Sequence, residues 1–193
     1  MDFKEFKDLV KNTRTTRRFK KNISIFNKDL EEIIDTARVV SSAMNKQPLK
    51  YIIVTKKKLV EKLSSSSKWA SHLENWTQSK DEQPSAYIIV LNDSSIDGYS
   101  MLDCGIALNT IMLGLKLKGF ASCPLGSIDK ELCKNLFSLS KNLEPILGIA
   151  VGIENETVKL VDLKKDTNYY RDENDTHCVP KRVLKDILIK KYN

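Results

Sequence analysis

The sequence predicts an α+β fold, a mixed α/β sandwich built as one domain over residues 1–193. Three observations carry that expectation. Segments with apolar residues at helical spacing alternate with short apolar runs at Tyr51–Val54, Ala86–Leu91, Ile146–Ile153 and Val158–Val161, the pattern of helices packed on a sheet. A chain of 193 residues with 41% hydrophobic content has the size and apolar stock for one ordinary core. Neither an internal repeat nor a linker of biased composition divides it.

Taken in order, Phe3, Phe6, Leu9 and Val10 predict a short amphipathic helix over 2–12. The Arg-rich stretch behind it reads as loop or extended chain. Asn27 is the expected N-cap of a helix over 28–40, with Asp29, Glu31 and Glu32 favoured by the helix dipole and Leu30, Ile33, Ile34, Ala37 and Val40 facing the core. Ser41-Ser42 ends it, Pro48 opens a new segment, and Tyr51–Val54 is a strand. Leu59, Val60 and Leu63 predict a helix over 56–66, while the Ser-rich stretch 64–85, with Trp69 and Trp76, shows no period.

Ala86–Leu91 is a second buried strand. The longest helix runs from Tyr99 to Lys118 on Met101, Cys104, Gly105, Leu108, Ile111, Met112 and Leu115, closed by Gly119, where positive φ is free of Cβ strain. Gly119 to Gly126 reads as a turn-rich connection and Asp129–Leu136 as a helix capped by Asp129. Two strands follow, and Val183, Leu184, Ile187 and Leu188 predict a terminal helix behind Pro180.

Composition excludes several classes. The apolar content argues against disorder. By run length, no segment reaches the roughly 18 apolar residues that span a bilayer, and Met1 to Lys7 has no apolar signal region. The default is therefore cytoplasmic, without a membrane partner. The four cysteines, Cys104, Cys123, Cys133 and Cys178, form no Cys-x-x-Cys pair, and His72 and His177 are the only histidines, so no metal site is expected. Net charge is +7, and residues 1–21 hold +5 of it. Few aromatics interleave with these cations, and no nucleic-acid module appears, so nucleic acid is not the expected partner.

Two polar segments carry the functional signal. Arg14-Thr15-Thr16-Arg17-Arg18-Phe19 gathers three guanidiniums and two hydroxyls, which suit a phosphate. Ser41-Ser42-Ala43-Met44-Asn45-Lys46-Gln47-Pro48 gathers hydroxyls and carboxamides, and a carboxamide offers a donor and an acceptor to the edge of a heteroaromatic ring. Together they point to a phosphorylated, ring-bearing cofactor. Neither a Ser-His-Asp, Cys-His or paired-carboxylate constellation nor a Gly-x-Gly-x-x-Gly after a strand stands out.

These segments, in their order, resemble the nitroreductase family of FMN-dependent oxidoreductases. The Arg14–Phe19 stretch is similar to its Arg-Ser-x-Arg-x-Phe signature, and Ser42–Pro48 to its Ser-x-x-Asn-x-Gln-Pro. Asp103-Cys104-Gly105-Ile106-Ala107-Leu108-Asn109 resembles its Asp-x-Gly-x-Ala-x-x-Asn helix, Gly119–Gly126 its glycine-rich loop, and Val179-Pro180-Lys181-Arg182 a basic signature of short members.

The resemblance implies a central, mostly antiparallel sheet flanked by helices, in an intertwined homodimer with FMN between subunits. It implies that Arg14, Thr15 and Arg17 hold FMN, with Arg17 supporting the charge that reduction places on the pyrimidine side. It also implies that Ser42, Asn45 and Gln47 contact ring or ribityl, that the Leu125 amide and Gly126 lie at the flavin, and that Lys181 and Arg182 lie near the phosphate. No side chain is assigned as catalytic, because flavin N5 carries the hydride. NAD(P)H would reduce FMN, leave, and be replaced by a nitroaromatic, quinone or similar small acceptor. Three departures bear on the acceptor: Thr13 stands where many members carry a second arginine, Leu125 where some carry an acid, and Ser41 where proline is common. Rival readings are an FMN carrier or sensor without turnover, a basic interaction protein without cofactor, and reductive dehalogenation or flavin fragmentation on the same fold.

Overall fold

The computed structural model describes residues 1–74 and 76–192. Within the described residues the chain forms two compact units, one of residues 1–69 and 78–155, the other of residues 70–77 and 156–193.

The first unit is a four-stranded antiparallel sheet with helices on both faces. Its strands are β1 (Leu49–Val54), β2 (Ala86–Asp93), β3 (Ala121–Leu125) and β4 (Leu143–Gly152), in spatial order β1-β2-β4-β3. Its helices are α1 (Phe3–Asn12), α2 (Asn27–Arg38), α3 (Lys57–Ser66), α4 (Ser100–Leu117) and α5 (Lys130–Phe137). β2 is central and wholly apolar through Leu91, so its side chains alternate between two cores. Tyr87, Ile89 and Leu91 join Phe19, Val60, Leu63, Leu125 and Cys133 on one face. Ile88 and Val90 join Leu30, Ile33, Ala37, Cys104, Ala107, Ile111 and Leu115 on the other.

The helical expectations stand with small shifts. Asp2 and Glu5 close a reciprocal capping box on α1. Asn27 is not the N-cap of α2: Phe26 takes that position, and the Asn27 carboxamide oxygen accepts from the Thr55 hydroxyl at 2.8 Å instead. Gly119 has φ +79°, as the cap requires. The stretch expected as a connection, 119–126, contains β3. Its proline is tolerated because β3 lies at the sheet edge, where one side of the ladder is open. By length and composition α4 is long and apolar enough to cross a membrane, contrary to the run-length reading. Here it is a core helix that buries Cys104, Ala107, Ile111 and Leu115.

In the second unit, β5 (Val158–Asp162), β6 (Tyr170–Arg171) and β7 (His177–Lys181) form a small sheet of order β5-β7-β6, with β5 and β7 parallel. Its interior holds fully buried His177, whose ring lies 5.0 Å from that of Tyr169, and an ion pair between Arg171 and Glu156. The expected terminal helix is one turn, α6 (Leu184–Ile187).

Candidate functional site

The Arg-rich segment is extended chain laid on the free edge of β3. Thr15 makes a parallel bridge to Ser122, the Thr16 amide donates to the Ser122 carbonyl at 2.9 Å, and Phe19 bridges Glu154. Phe19 is fully buried and anchors the segment. Gly152 makes room for it: a Cβ there would meet the Phe19 ring at 2.6 Å. Buried Thr16 donates to Glu154 at 3.2 Å, and Lys116 lies 3.6 Å from the other Glu154 oxygen.

Arg14 leaves this edge half-buried. One terminal nitrogen donates to the Val10 carbonyl at 2.7 Å, at the end of α1, where carbonyls lack helical partners. Its Nε–H is buried and has no partner among the described residues. Burial pushes the guanidinium below its ordinary pKa. An unpaired buried donor costs roughly 1–3 kcal/mol, so the arrangement suits a group that brings its own acceptor. Thr13, in place of a second arginine, spends its hydroxyl on the Leu9 carbonyl at 2.8 Å. Arg18 pairs with Glu82 at 3.4 Å.

Sequence reasoning passed over Gln78. Its amide nitrogen donates to the Arg17 carbonyl at 2.8 Å, while its oxygen is buried and unpartnered among the described residues. A polar residue in an aperiodic stretch gave no signal for this. Each leftover group has its own complement: the Arg14 donor an oxyanion, the Gln78 acceptor an N–H or O–H.

The second segment is a tight turn over 42–47. Met44, Asn45 and Gln47 have φ of 52°, 53° and 53°. Left-handed backbone at a non-glycine residue costs on the order of 1–3 kcal/mol and persists only where the surroundings over-determine it. The surroundings do so through Asp103, which accepts from the Ser42 hydroxyl and the Ala43 amide. Asn45 and Gln47 are exposed and linked by the Gln47 carboxamide donating to Asn45 Oδ1 at 3.0 Å. Ser42, Gln47 and Asp103 border a cavity of about 630 Å³ with Ile34, Leu49 and Tyr51. Burial beside Cys104 and Asp103 pushes the Tyr51 phenol up to about 12. Arg14, Thr15 and Arg17 do not line this cavity. The two signal segments therefore occupy different places on one chain.

The remaining expected residues divide between the units. Leu125 ends β3 with its side chain in the core, so only its backbone is free to face a ligand, and Gly126 behind it is exposed. Lys181 ends β7 and Arg182 follows it, both exposed in the second unit. Trp69 packs on the core and donates to the Ser64 carbonyl at 3.0 Å.

Comparison with known proteins bears on the whole arrangement. The Nitroreductase family model matches residues 10–153. A relative from Archaeoglobus fulgidus, provisionally named an NADH dehydrogenase/NAD(P)H nitroreductase, is 27% identical over 84% of this chain and 88% of its own. Among solved structures, a nitroreductase family protein from Clostridium difficile 630 superposes with a TM-score of 0.64 at 25% identity, over 81% of this chain and 86% of that one. A protein from Parabacteroides distasonis, also provisionally an NADH dehydrogenase/NAD(P)H nitroreductase, reaches 0.69 at 16% identity over 98% of both chains.

Proposed function

The chain belongs to the nitroreductase family of oxidoreductases, and from that premise we propose that the whole of it acts as one FMN-dependent NAD(P)H oxidoreductase domain. The observation that carries the cofactor reading is the unpartnered Nε–H of Arg14, buried beside a segment that the β3 edge and Phe19 hold in place. A phosphate oxygen supplies the acceptor that this donor lacks. Bound FMN would supply hydride chemistry between NAD(P)H and a small oxidised acceptor in alternating half-reactions.

In this reading Arg14 and Thr15 take the phosphate and ribityl side. Arg17, with its carbonyl held by Gln78, places a cation toward the pyrimidine edge, where reduction adds negative charge. Ser42, Asn45 and Gln47 present hydroxyl and carboxamides to ring or ribityl, and the Leu125 amide and Gly126 offer backbone to the flavin. Lys181 and Arg182 are assigned to the phosphate on the resemblance alone.

The active form is a homodimer. Exposed Met101, Leu102, Ile106 and Leu117 make an apolar stripe along α4, and Phe3 and Phe6 are exposed on α1; such surface marks a contact with another chain. A second copy would also bring its 42–47 turn to a cofactor that this copy's Arg14 segment holds, which accommodates two signal segments lying apart on one chain. Four buried free cysteines suit a reducing cytoplasm.

The test is the visible spectrum of purified protein, before and after reconstitution with FMN, followed by anaerobic addition of NADH or NADPH and then a nitroaromatic or a quinone. Flavin absorption that bleaches with a nicotinamide and returns with an acceptor is the expected result. Protein that takes up no FMN refutes the cofactor reading, and bound FMN that no nicotinamide bleaches refutes the enzymatic one.

A further inference from the structure

Asp103 has no part in the chemistry above, yet only 2% of its surface is exposed, in the first turn of α4. A carboxylate there must be fully engaged to be tolerated. Its bonds go to one distant segment: Oδ2 accepts from the Ser42 hydroxyl at 2.6 Å, and Oδ1 from the Ala43 amide at 2.8 Å. The Ser42 oxygen in turn accepts the Gln47 amide at 2.9 Å, and the Ser42 carbonyl accepts the Asn45 amide at 2.9 Å. This lattice encloses the three left-handed residues Met44, Asn45 and Gln47. Gly98 backs the turn from another side, where an added Cβ would meet Lys46 Cβ at 3.1 Å.

The Ser42 hydroxyl has little left to give. Serine has one hydrogen and two lone pairs to offer. Asp103 takes the hydrogen and the Gln47 amide takes one lone pair. Toward a ligand, Ser42 keeps a single acceptor position.

We propose that Asp103 is a positioning residue of the cofactor site, which holds the 42–47 turn in its left-handed form and fixes Ser42 as a hydrogen-bond acceptor. The group that Ser42 meets is then a donor; of the two kinds a flavin nucleotide carries, ribityl hydroxyl and ring N–H, we take the hydroxyl, and lumiflavin, which keeps only the ring N–H, decides between them; a phosphate or carbonyl oxygen is excluded. The inference rests on the FMN reading.

The test uses full-length, flavin-stripped protein as wild type, Asp103→Asn, Ser42→Ala and the double variant. Fluorescence titration with FMN should show each single variant about tenfold weaker and the double variant no weaker than Asp103→Asn alone, because residues acting as one unit are not additive. Lumiflavin, which keeps the ring but lacks the hydroxylated chain, should bind Ser42→Ala as it binds wild type. Hydrogen exchange without flavin gives a separate readout. Asp103→Asn should speed exchange at the Asn45 and Gln47 amides and leave β2 and β4 unchanged, and Ser42→Ala should do so at Gln47.

Additive losses in the double variant, unchanged exchange at those two amides, or exchange accelerated evenly over the sheet would each overturn the proposal. A wild type that binds no FMN sinks the functional reading and the ligand half of this one, while the exchange data still decide whether Asp103 holds the turn.

Discussion

Replacing Arg14 by methionine should separate function from stability. The change removes a buried, unpartnered Nε–H and one bond to the Val10 carbonyl. The first loss stabilises flavin-free protein by roughly 1–3 kcal/mol and the second costs a similar amount, since hydrogen bonds of charged groups are worth about 1.5–3 kcal/mol. Methionine keeps much of the packing of the aliphatic stem. Net stability without flavin should therefore move by no more than about 2 kcal/mol in either direction, a melting shift within about 4–8 °C for a chain of this size.

With FMN the balance differs. Losing one or two charge-assisted contacts of about 1.5–3 kcal/mol each weakens binding at least about tenfold. At an FMN concentration of 100 times the wild-type Kd, ligand stabilises wild type by about 2.7 kcal/mol, and a variant bound a hundredfold more weakly by only about 0.4 kcal/mol. The assays are urea unfolding of stripped protein and fluorescence titration with FMN and with riboflavin, which lacks the phosphate. Riboflavin affinity should stay within about twofold, because the lost contact is to the phosphate. An FMN Kd that does not move, or a riboflavin loss as large as the FMN loss, refutes the phosphate assignment.

Other expectations follow from single contacts. Gly152→Ala places a Cβ 2.6 Å from the buried Phe19 ring; it should cost about 1–3 kcal/mol in thermal unfolding and weaken FMN as well, whereas Gly105→Ala, with nothing within 4 Å, should be neutral or stabilising in the monomer. Ile106→Asp places a charge in the exposed stripe of α4 and should shift sedimentation from dimer to monomer; an unchanged dimer would move the interface elsewhere. Burial, with a smaller contribution from Asp129, pushes the Cys133 thiol from 9.0 to about 11. An acid held protonated in the fold but ionised when unfolded loses stability as pH rises, here between about pH 9 and about pH 11. Cys133→Ala should flatten that part of the alkaline stability profile, and an identical slope in the variant would discount the thiol.

Local sequence was enough for the features that rest on local forces. The periods of Leu30, Ile33 and Ala37 and of Cys104, Ile111 and Leu115 placed α2 and α4, because a helix writes its buried face into nearby residues, although Met101 and Gly105, read on the same face of α4, are exposed and Ala107 is buried in their stead. The apolar run Ala86–Leu91 marked β2 as a buried strand, and Gly119 marked the end of α4. The Arg14–Phe19 and Ser42–Pro48 segments were legible as donor-rich sites because their chemistry lies in residue type and spacing.

Tertiary structure decided the rest, wherever the energy comes from partners remote in sequence. β3 lacks alternation and contains Pro124, and it is a strand because β4 pairs with it. Asn27 lost its capping role to Phe26, and its carboxamide bonds to Thr55. The unpartnered donor on Arg14, the grip of Gln78 on the Arg17 carbonyl, and the bond of Ser42 to Asp103 across 61 residues leave no trace in any window of sequence. Residue type declares which bonds a side chain is able to make, but only the packed fold determines which of them are already taken and which remain for a ligand.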